Sequence, residues 1–343
     1  MVRVGVLGFG LAGQVFHAPM IRAVPGLELA CILERHGSLA REKYPEVRVA
    51  RTLEELLADE TIRLCVIGTP HNTHFDLARR CLLAGRDVVV DKPFTVTLRE
   101  AEELIALAKQ KKRLLTVYQN RRWDGDFQTV KKILKAGTLG RVAEYEVRFE
   151  RFRPELRPNN WRERDQPGSG MLLELGPHLV DQVLQLFGTP QAITAEVFRQ
   201  REGSQVDDAF DVCLEYPGLR ALLHSRIIAY APGPHFAVHG TKGSFVKFGM
   251  DPQEELLKAG ALPEGESWGE DPEEYWGTLA VVGGAGQKVK TEAGDYRSFY
   301  INLRDAIVKG TPPAVTTEQA WRTMRVLELA QQSSRERRTL VWD

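Results

Sequence analysis

Residues 2–13 read VRVGVLGFGLAG, and they constrain the fold more than any other stretch of the chain. A β-rich apolar run, Val2 to Leu7, breaks at once into Gly8-Phe9-Gly10-Leu11-Ala12-Gly13. Each glycine has its own physical use. Gly8 lets the backbone turn sharply off a strand, and Gly10 keeps it open to a phosphate. Gly13 lets the following helix press on the sheet. Alone, such a pattern also fits an ordinary tight turn. Here it follows a strand, precedes a helix-forming stretch at 14–24, and is answered further along. Residues 27–33 read as a second strand that ends in Glu34, placed where a carboxylate meets the ribose of a dinucleotide. Gly8, Phe9, Gly10, Leu11, Ala12 and Gly13 are therefore expected to cradle a pyrophosphate, with Glu34 and Arg35 beside the ribose.

A chain of 343 residues is long enough for two domains with separate cores. Its 46 basic and 46 acidic residues cancel, which removes any global field for nucleic acid or an acidic membrane. Local runs such as 109–113 and 335–338 suit solvated helix ends. No stretch has the apolar length of a membrane span, and the first residues lack a signal-peptide pattern. Cys31, Cys65, Cys81 and Cys213 show no CxxC or zinc spacing, so reduced thiols and no metal site are expected. These features predict a cytoplasmic protein.

Up to about residue 120, strands and helices alternate. Strands are expected at 47–50, 64–68, 87–90 and 114–118, with helices at 39–44, 53–59, 73–83 and 98–109 between them. This alternation predicts a doubly wound parallel (Rossmann) sheet with ligands at the carboxyl ends of its strands. From 121 to 343 the pattern changes. A helix at 127–135 leads into long strands at 142–153, 192–200, 210–216 and 220–230, with shorter ones at 236–238 and 244–248. Their apolar–polar alternation predicts a C-terminal α/β domain with a large, mainly antiparallel open sheet. The Gly- and Pro-rich stretch 259–286 reads as a surface excursion, and 317–332 as a terminal helix.

Three clusters stand where a ligand in such a sheet is reached. Thr69, Pro70, His71, Asn72 and His74 follow the fourth strand, and Asp91-Lys92-Pro93 follows the fifth. Burial beside a cationic ring would bring Lys92 toward the working range of an acid or base, although a lysine there also fits simple snorkelling to solvent. The third cluster is Glu174-Leu175-Gly176-Pro177-His178-Leu179-Val180-Asp181. In a helix, 174, 178 and 181 share a face, and Pro177 suggests that the helix begins near it with Glu174 in the turn before. A carboxylate beside an imidazole raises its basicity; the same pair also fits a structural hydrogen bond.

GFGLAG, TPHNTH, DKP, Tyr118-Gln119-Asn120-Arg121-Arg122-Trp123-Asp124, Asn160-Trp161-Arg162 and ELGPHLVD, in this order and nearly end to end, resemble the Gfo/Idh/MocA oxidoreductases. GQVFHAP, NRRWDGDF and Phe152-Arg153-Pro154 are similar to the branch that holds the scyllo-inositol dehydrogenases. The resemblance implies a nucleotide domain, a second domain whose open sheet makes homodimers or homotetramers, and a site at their junction. On it Lys92 touches the substrate hydroxyl and the nicotinamide, His178 accepts or donates the proton, and Glu174 stands where aspartate is usual. Asp181 contacts a substrate hydroxyl or positions the histidine. Trp161 and Arg162 match a cofactor-contacting pair, Asn120 lies beside the nicotinamide ribose, and Asp91 replaces a glutamate that supports the loop. Which of Lys92 and His178 carries the proton stays open.

The resulting expectation is an NAD- or NADP-dependent dehydrogenase or reductase acting on a secondary alcohol of a polyol, inositol or sugar. Lys92, Asn120, Arg122, Asp181 and His178 make a polar lining that suits a hydroxyl-rich substrate. Two other classes occur among such proteins: lyases or glycosidases that oxidise a sugar transiently, and sensors without turnover, for which an acid–base pair has no use. Glu34 repels a 2′-phosphate while Arg35 attracts one. NADP-using relatives on the inositol branch carry Ser-Arg there, so Glu34 tips the expectation toward NAD.

Overall fold

The computed structural model describes residues 1–157, 160–265 and 267–342. The chain forms two compact units. The first is Met1–Asn120 with Gln253–Trp268 and Asp295–Trp321; the second is Arg121–Pro252 with Gly269–Gly294 and Arg322–Asp343.

In the first unit, β1 (Val2–Leu7), β2 (Leu27–Leu33), β3 (Arg48–Ala50), β4 (Leu64–Ile67), β5 (Asp87–Val90) and β6 (Leu115–Val117) form one parallel sheet, ordered β3-β2-β1-β4-β5-β6. β4 and β5 are buried throughout, as strands covered on both faces must be. The order reverses between β1 and β4, so the loops after these two strands open the crevice in which such sheets bind ligands. The first helical segment differs from the regular helix expected at 14–24. Ala12–His17 is π-helical and Ala18–Ala23 is α-helical. Pro19 has no N–H to return to Val15, and the Ala18 N–H bonds Gly13 O, five residues back. The helix Leu98–Lys111 opens on a capping box of Thr97 and Glu100. A helix at Arg297–Lys309, absent from the expectations above, belongs to this unit.

In the second unit β7 (Val142–Glu150), β8 (Ala192–Phe198), β9 (Ala209–Tyr216), β10 (Leu219–Arg226), β11 (Phe236–Gly240), β12 (Gly243–Lys247), β13 (Gly277–Val281), β14 (Gln287–Val289) and β15 (Leu340–Val341) form a nine-stranded sheet, ordered β14-β13-β12-β11-β7-β10-β9-β8-β15. Its pairs are antiparallel except β7 with β10. One face carries the core (Tyr145, Val147, Phe149, Ala221, Leu223), and the strands alternate inward and outward accordingly. The excursion expected at 259–286 is corrected in part, because β13 lies inside it and pairs with both β12 and β14. Gly277 sits against Phe245, where a Cβ would come within 2.2 Å of the ring, so the strand shows too little apolar pattern to be read. Glu266 of that stretch lies outside the described residues.

Pro177 does not begin its helix, contrary to expectation. The helix runs Met171–Phe187, and Glu174 is in its first turn. Its start is held from elsewhere in the chain. Asp207 O accepts from Met171 N at 2.9 Å, and its Oδ2 accepts from Leu172 N at 2.7 Å. These bonds satisfy amides that no local side chain caps. Gly170 must be glycine here: its φ is 98°, and a Cβ would lie 2.1 Å from Asp207 Oδ1. Burial raises the Asp207 carboxyl to about 6, with the two amides pulling the other way. Asp207→Ala is expected to cost about 1–2 kcal/mol, the scale of a lost helix cap. Asp207→Asn keeps the acceptor and should cost less. Urea unfolding of the two variants measures the difference.

Candidate functional site

In the first unit the expected ligand residues gather at the carboxyl ends of β1, β2, β4, β5 and β6. Gly8 has φ 92°, and a Cβ there would come within 2.8 Å of Thr69 Cγ2. A Cβ on Gly13 would fall 2.3 Å from Gly8 O, so the helical segment returns over the strand end at a distance only glycine permits. Gly10 is exposed, and beyond its chain neighbours no atom of the described residues lies within 4 Å of the place its Cβ would take. Leu11 caps the segment without a side-chain bond, which leaves its first amides for a ligand. Phe9 is buried against Tyr44, and Gln14 Nε2 donates to Phe9 O at 2.7 Å. Open backbone at Gly10, an uncapped helical start at Leu11 and Ala12, and a carboxylate at the end of β2 together fit a dinucleotide.

That carboxylate is Glu34. It is nearly buried, accepts from Ala40 N at 3.3 Å, and lies 3.8 Å from the Arg51 guanidinium. Arg51 also donates to Glu34 O and Gly37 O, both at 2.8 Å, and so ties the loop after β2 to the end of β3. Sequence reading missed Arg51, and no local pattern marks it. Arg35 and His36 are exposed on this loop.

After β4, Thr69 Oγ1 and Thr73 Oγ1 are 2.6 Å apart and Thr73 Oγ1 donates to Pro70 O. Asn72 is exposed, while His71 and His74 are buried. His74 is a brace. Its Nδ1 lies 2.8 Å from Pro93 O and its Nε2 3.0 Å from Thr69 O, so the ring sits between backbone carbonyls of two loops, and the neutral imidazole donates its single N–H to one of them. Lys92 is half-buried after β5, and its backbone N–H donates to Asp91 Oδ1 at 2.8 Å. Asn120 is buried just after β6.

In the second unit Glu174, His178 and Asp181 fall on one face of helix Met171–Phe187. His178 and Asp181 are buried and Glu174 is half-buried. Asp181 is held tightly. Arg122 Nε and Nη2 each reach one of its carboxylate oxygens at 2.7 Å, a bidentate ion pair with both side chains buried. Two residues expected to line the substrate therefore hold each other. Glu174 Oε1 lies 3.6 Å from Arg162 Nε, and the Arg162 guanidinium stacks 4.6 Å from the Trp161 ring centre. Glu174 thus pairs with Arg162, a residue that the sequence resemblance assigns to the cofactor rather than to this carboxylate.

Four cysteines are free and buried. Among the described residues no group of three His, Cys, Asp or Glu side chains is arranged to hold a metal, and no helix is long and apolar enough to cross a membrane.

Burial lowers the imidazolium affinity of two histidines in the first unit: His17 falls from 6.5 to about 4, and His74 falls as well. Their folded state binds fewer protons than the unfolded chain between about 6.5 and 4, so stability rises with pH across that window and is lost on acidification. His17 alone accounts for roughly 3 kcal/mol. In the second unit burial lowers His235 in the same way, but Asp207 works in the opposite sense and offsets it, taking up a proton as pH falls through about 6. Hydrogen exchange followed from pH 7 to 4 should therefore show the first unit weakening first, and His17→Gln should flatten its slope.

Residues 2–119 match the family described as "Oxidoreductase family, NAD-binding Rossmann fold", and residues 131–341 its partner, "Oxidoreductase family, C-terminal alpha/beta domain". The chain is 44% identical to the oxidoreductase YdgJ of Escherichia coli K12, over 99% of this chain and 98% of that protein. It is 38% identical to scyllo-inositol 2-dehydrogenase (NADP(+)) IolW of Bacillus subtilis, over 99% and 96% respectively. The solved structure of the oxidoreductase YvaA from Bacillus subtilis superposes with a TM-score of 0.97 at 38% identity, covering 100% of this chain and 98% of that one. The glycine turn, the β3-β2-β1-β4-β5-β6 sheet and the nine-stranded second sheet are accounted for together: the chain belongs to the Gfo/Idh/MocA family of oxidoreductases.

Proposed function

We propose that this oxidoreductase interconverts a secondary alcohol of a polyol, inositol or sugar with the corresponding ketone, using NAD or NADP. The observation that carries the reading is Lys92: a half-buried amine at the carboxyl end of β5, its backbone locked to Asp91, on the same sheet edge as the glycine turn. The identity to IolW supports an inositol or a related polyol. Gly8–Gly13 would hold the pyrophosphate and Glu34 the adenosine ribose, with Thr69, Pro70, His71, Asn72, His74, Asp91 and Asn120 framing the nicotinamide half. Trp161 and Arg162 complete the cofactor contacts. When bound, the dinucleotide supplies the hydride acceptor or donor.

The chain's own part is orientation and proton handling. Lys92 and His178 take up the hydroxyl proton of the substrate or return it to the carbonyl oxygen. Glu174 sets the charge around His178, and its Arg162 partner moderates that charge. Asp181 and Arg122, already paired, present a rigid polar wall to substrate hydroxyls. On this reading 1–120 is the cofactor domain, and 121–343 binds substrate and self-associates. The outward face of the large sheet supports association: Arg148 bridges Glu146 and Glu150, and Asp211 bridges His224 and Arg226, a half-buried polar ladder suited to a second copy. A monomeric mass by light scattering would overturn that part.

The chemistry is tested by following reduced nicotinamide while a panel of polyols, scyllo-inositol included, is offered with each cofactor. Lys92→Ala should lower kcat by about two to four orders of magnitude, the scale of lost acid–base assistance, and change cofactor KM far less. A variant keeping a tenth of kcat removes Lys92 from the mechanism. We also propose that NAD is preferred and NADP accepted, because the nearly buried Glu34 carboxylate repels a 2′-phosphate. Glu34→Ser should then raise the NADP to NAD ratio of kcat/KM about tenfold. A wild-type preference for NADP above tenfold would show instead that Arg35 governs the choice.

A further inference from the structure

His17 ends the π-helical turn that follows the glycines, and it is fully buried within the first unit. Its ring packs on Tyr118 with centroids 4.7 Å apart. It also covers Gly68, where a Cβ would lie 3.0 Å from His17 Cδ2, so the glycine after β4 makes room for this imidazole. Nδ1 is 2.7 Å from the Tyr300 hydroxyl. Nε2 faces Asp91, 4.0 Å from Oδ2, and has no hydrogen-bond partner among the described residues. The other Asp91 oxygen holds the Lys92 N–H.

The tautomer follows from proton accounting. Burial keeps the Tyr300 phenol protonated, and among the described residues the one acceptor that meets its O–H is His17 Nδ1. Nδ1 is therefore the lone-pair nitrogen. The ring is neutral, since burial outweighs the attraction of Asp91. Its single hydrogen sits on Nε2 and is aimed at the Asp91 carboxylate. The other titratable groups around this ring are His74, which lies between Pro93 O and Thr69 O, and the phenols of Tyr118 and Tyr300. At 4.0 Å the N–H dipole and the carboxylate attract each other inside a buried site without forming a hydrogen bond.

We propose that His17, its tautomer set by Tyr300, is a positioning residue for Lys92: its Nε2–H attracts the Asp91 carboxylate electrostatically and orients it, and the carboxylate in turn holds the Lys92 backbone. The chain Tyr300–His17–Asp91–Lys92 links a helix from the late part of the sequence to the candidate acid–base lysine. Its kinetic consequences rest on the function proposed above; its geometry does not.

The first test is 15N NMR of histidine-labelled protein, with His17→Gln assigning the signal. We expect the Nε2–H tautomer in the wild type, a mixture of tautomers in Tyr300→Phe, and an upfield Nε2–H proton in Asp91→Ala. The second test is kinetic, on any polyol that turns over. His17→Phe should lower kcat about 10- to 100-fold, as a small misplacement of a reacting group does. It should leave cofactor KM within about threefold, because the phosphates rest on Gly8–Gly13. Freed from His17, Asp91 turns toward the Lys92 ammonium and raises its proton affinity, so the limb of the pH profile governed by Lys92 should move upward. His17→Gln, which keeps a donor near the Nε2 position, should restore most of kcat. Asp91→Ala combined with His17→Phe should be no worse than Asp91→Ala alone. An Nδ1–H tautomer in the wild type, or a His17→Phe enzyme with unchanged kcat and pH profile, overturns the proposal. Should no polyol turn over while the tautomer responds to both variants as stated, the proposed function fails and the positioning chain stands.

Discussion

The first unit depends on how closely the chain returns over the end of β1. Gly8 takes a φ of 92° and turns the backbone off the strand; Gly13 then passes its carbonyl so closely that a Cβ would stand 2.3 Å away. This approach presses the helical segment onto the sheet and aims its first amides across the crevice between β1 and β4. It also fixes what lies farther along the segment. His17 comes to rest on Gly68 and beside Asp91, so the geometry that favours a phosphate at one end of the turn places a buried imidazole at the other. Loss of either glycine would disturb both.

The second unit uses a different device. Helix Met171–Phe187 has a proline at its seventh position and no local cap, features that would weaken an isolated helix. It persists because Asp207 holds its first amides and because Arg122 grips Asp181 with two short bonds. A buried pair of this kind gives little net stability, yet removal of one partner leaves a charge without its counter-ion and costs about 3–5 kcal/mol. The pair therefore acts as a register pin. It sets the rotation of the helix, and with it the face that carries Glu174 and His178.

The sequence made the parallel sheet legible because its strands are short, apolar and separated by helices of clear periodicity; β1, β2 and β5 lie where the residues placed them. Glycine spacing and the carboxylate after β2 were equally plain. What stayed hidden has one cause: it depends on partners distant in sequence. Asp207 caps a helix 36 residues earlier, so Pro177 looked like the helix start. Arg51 clamps a loop across the sheet. The helix Arg297–Lys309 shows apolar residues at 299, 300, 303, 306 and 307 and a terminal Gly310 with φ 70°, a visible signal, but nothing local assigns it to the first unit. β13 was lost because a glycine under Phe245 left only Leu279 as a large inward residue.

The two candidate proton-handling groups are thus fixed by independent means. Lys92 is held at its backbone, through Asp91 and the loops that His74 braces. His178 is held by a helix whose rotation an ion pair sets, on the same face as Glu174. Such a division lets substitutions tune one group without displacing the other. Glutamate in place of aspartate at 174 is a change of this kind. Its carboxylate lies 3.6 Å from Arg162 Nε, so the charge at this position is shared with a cation of the same unit.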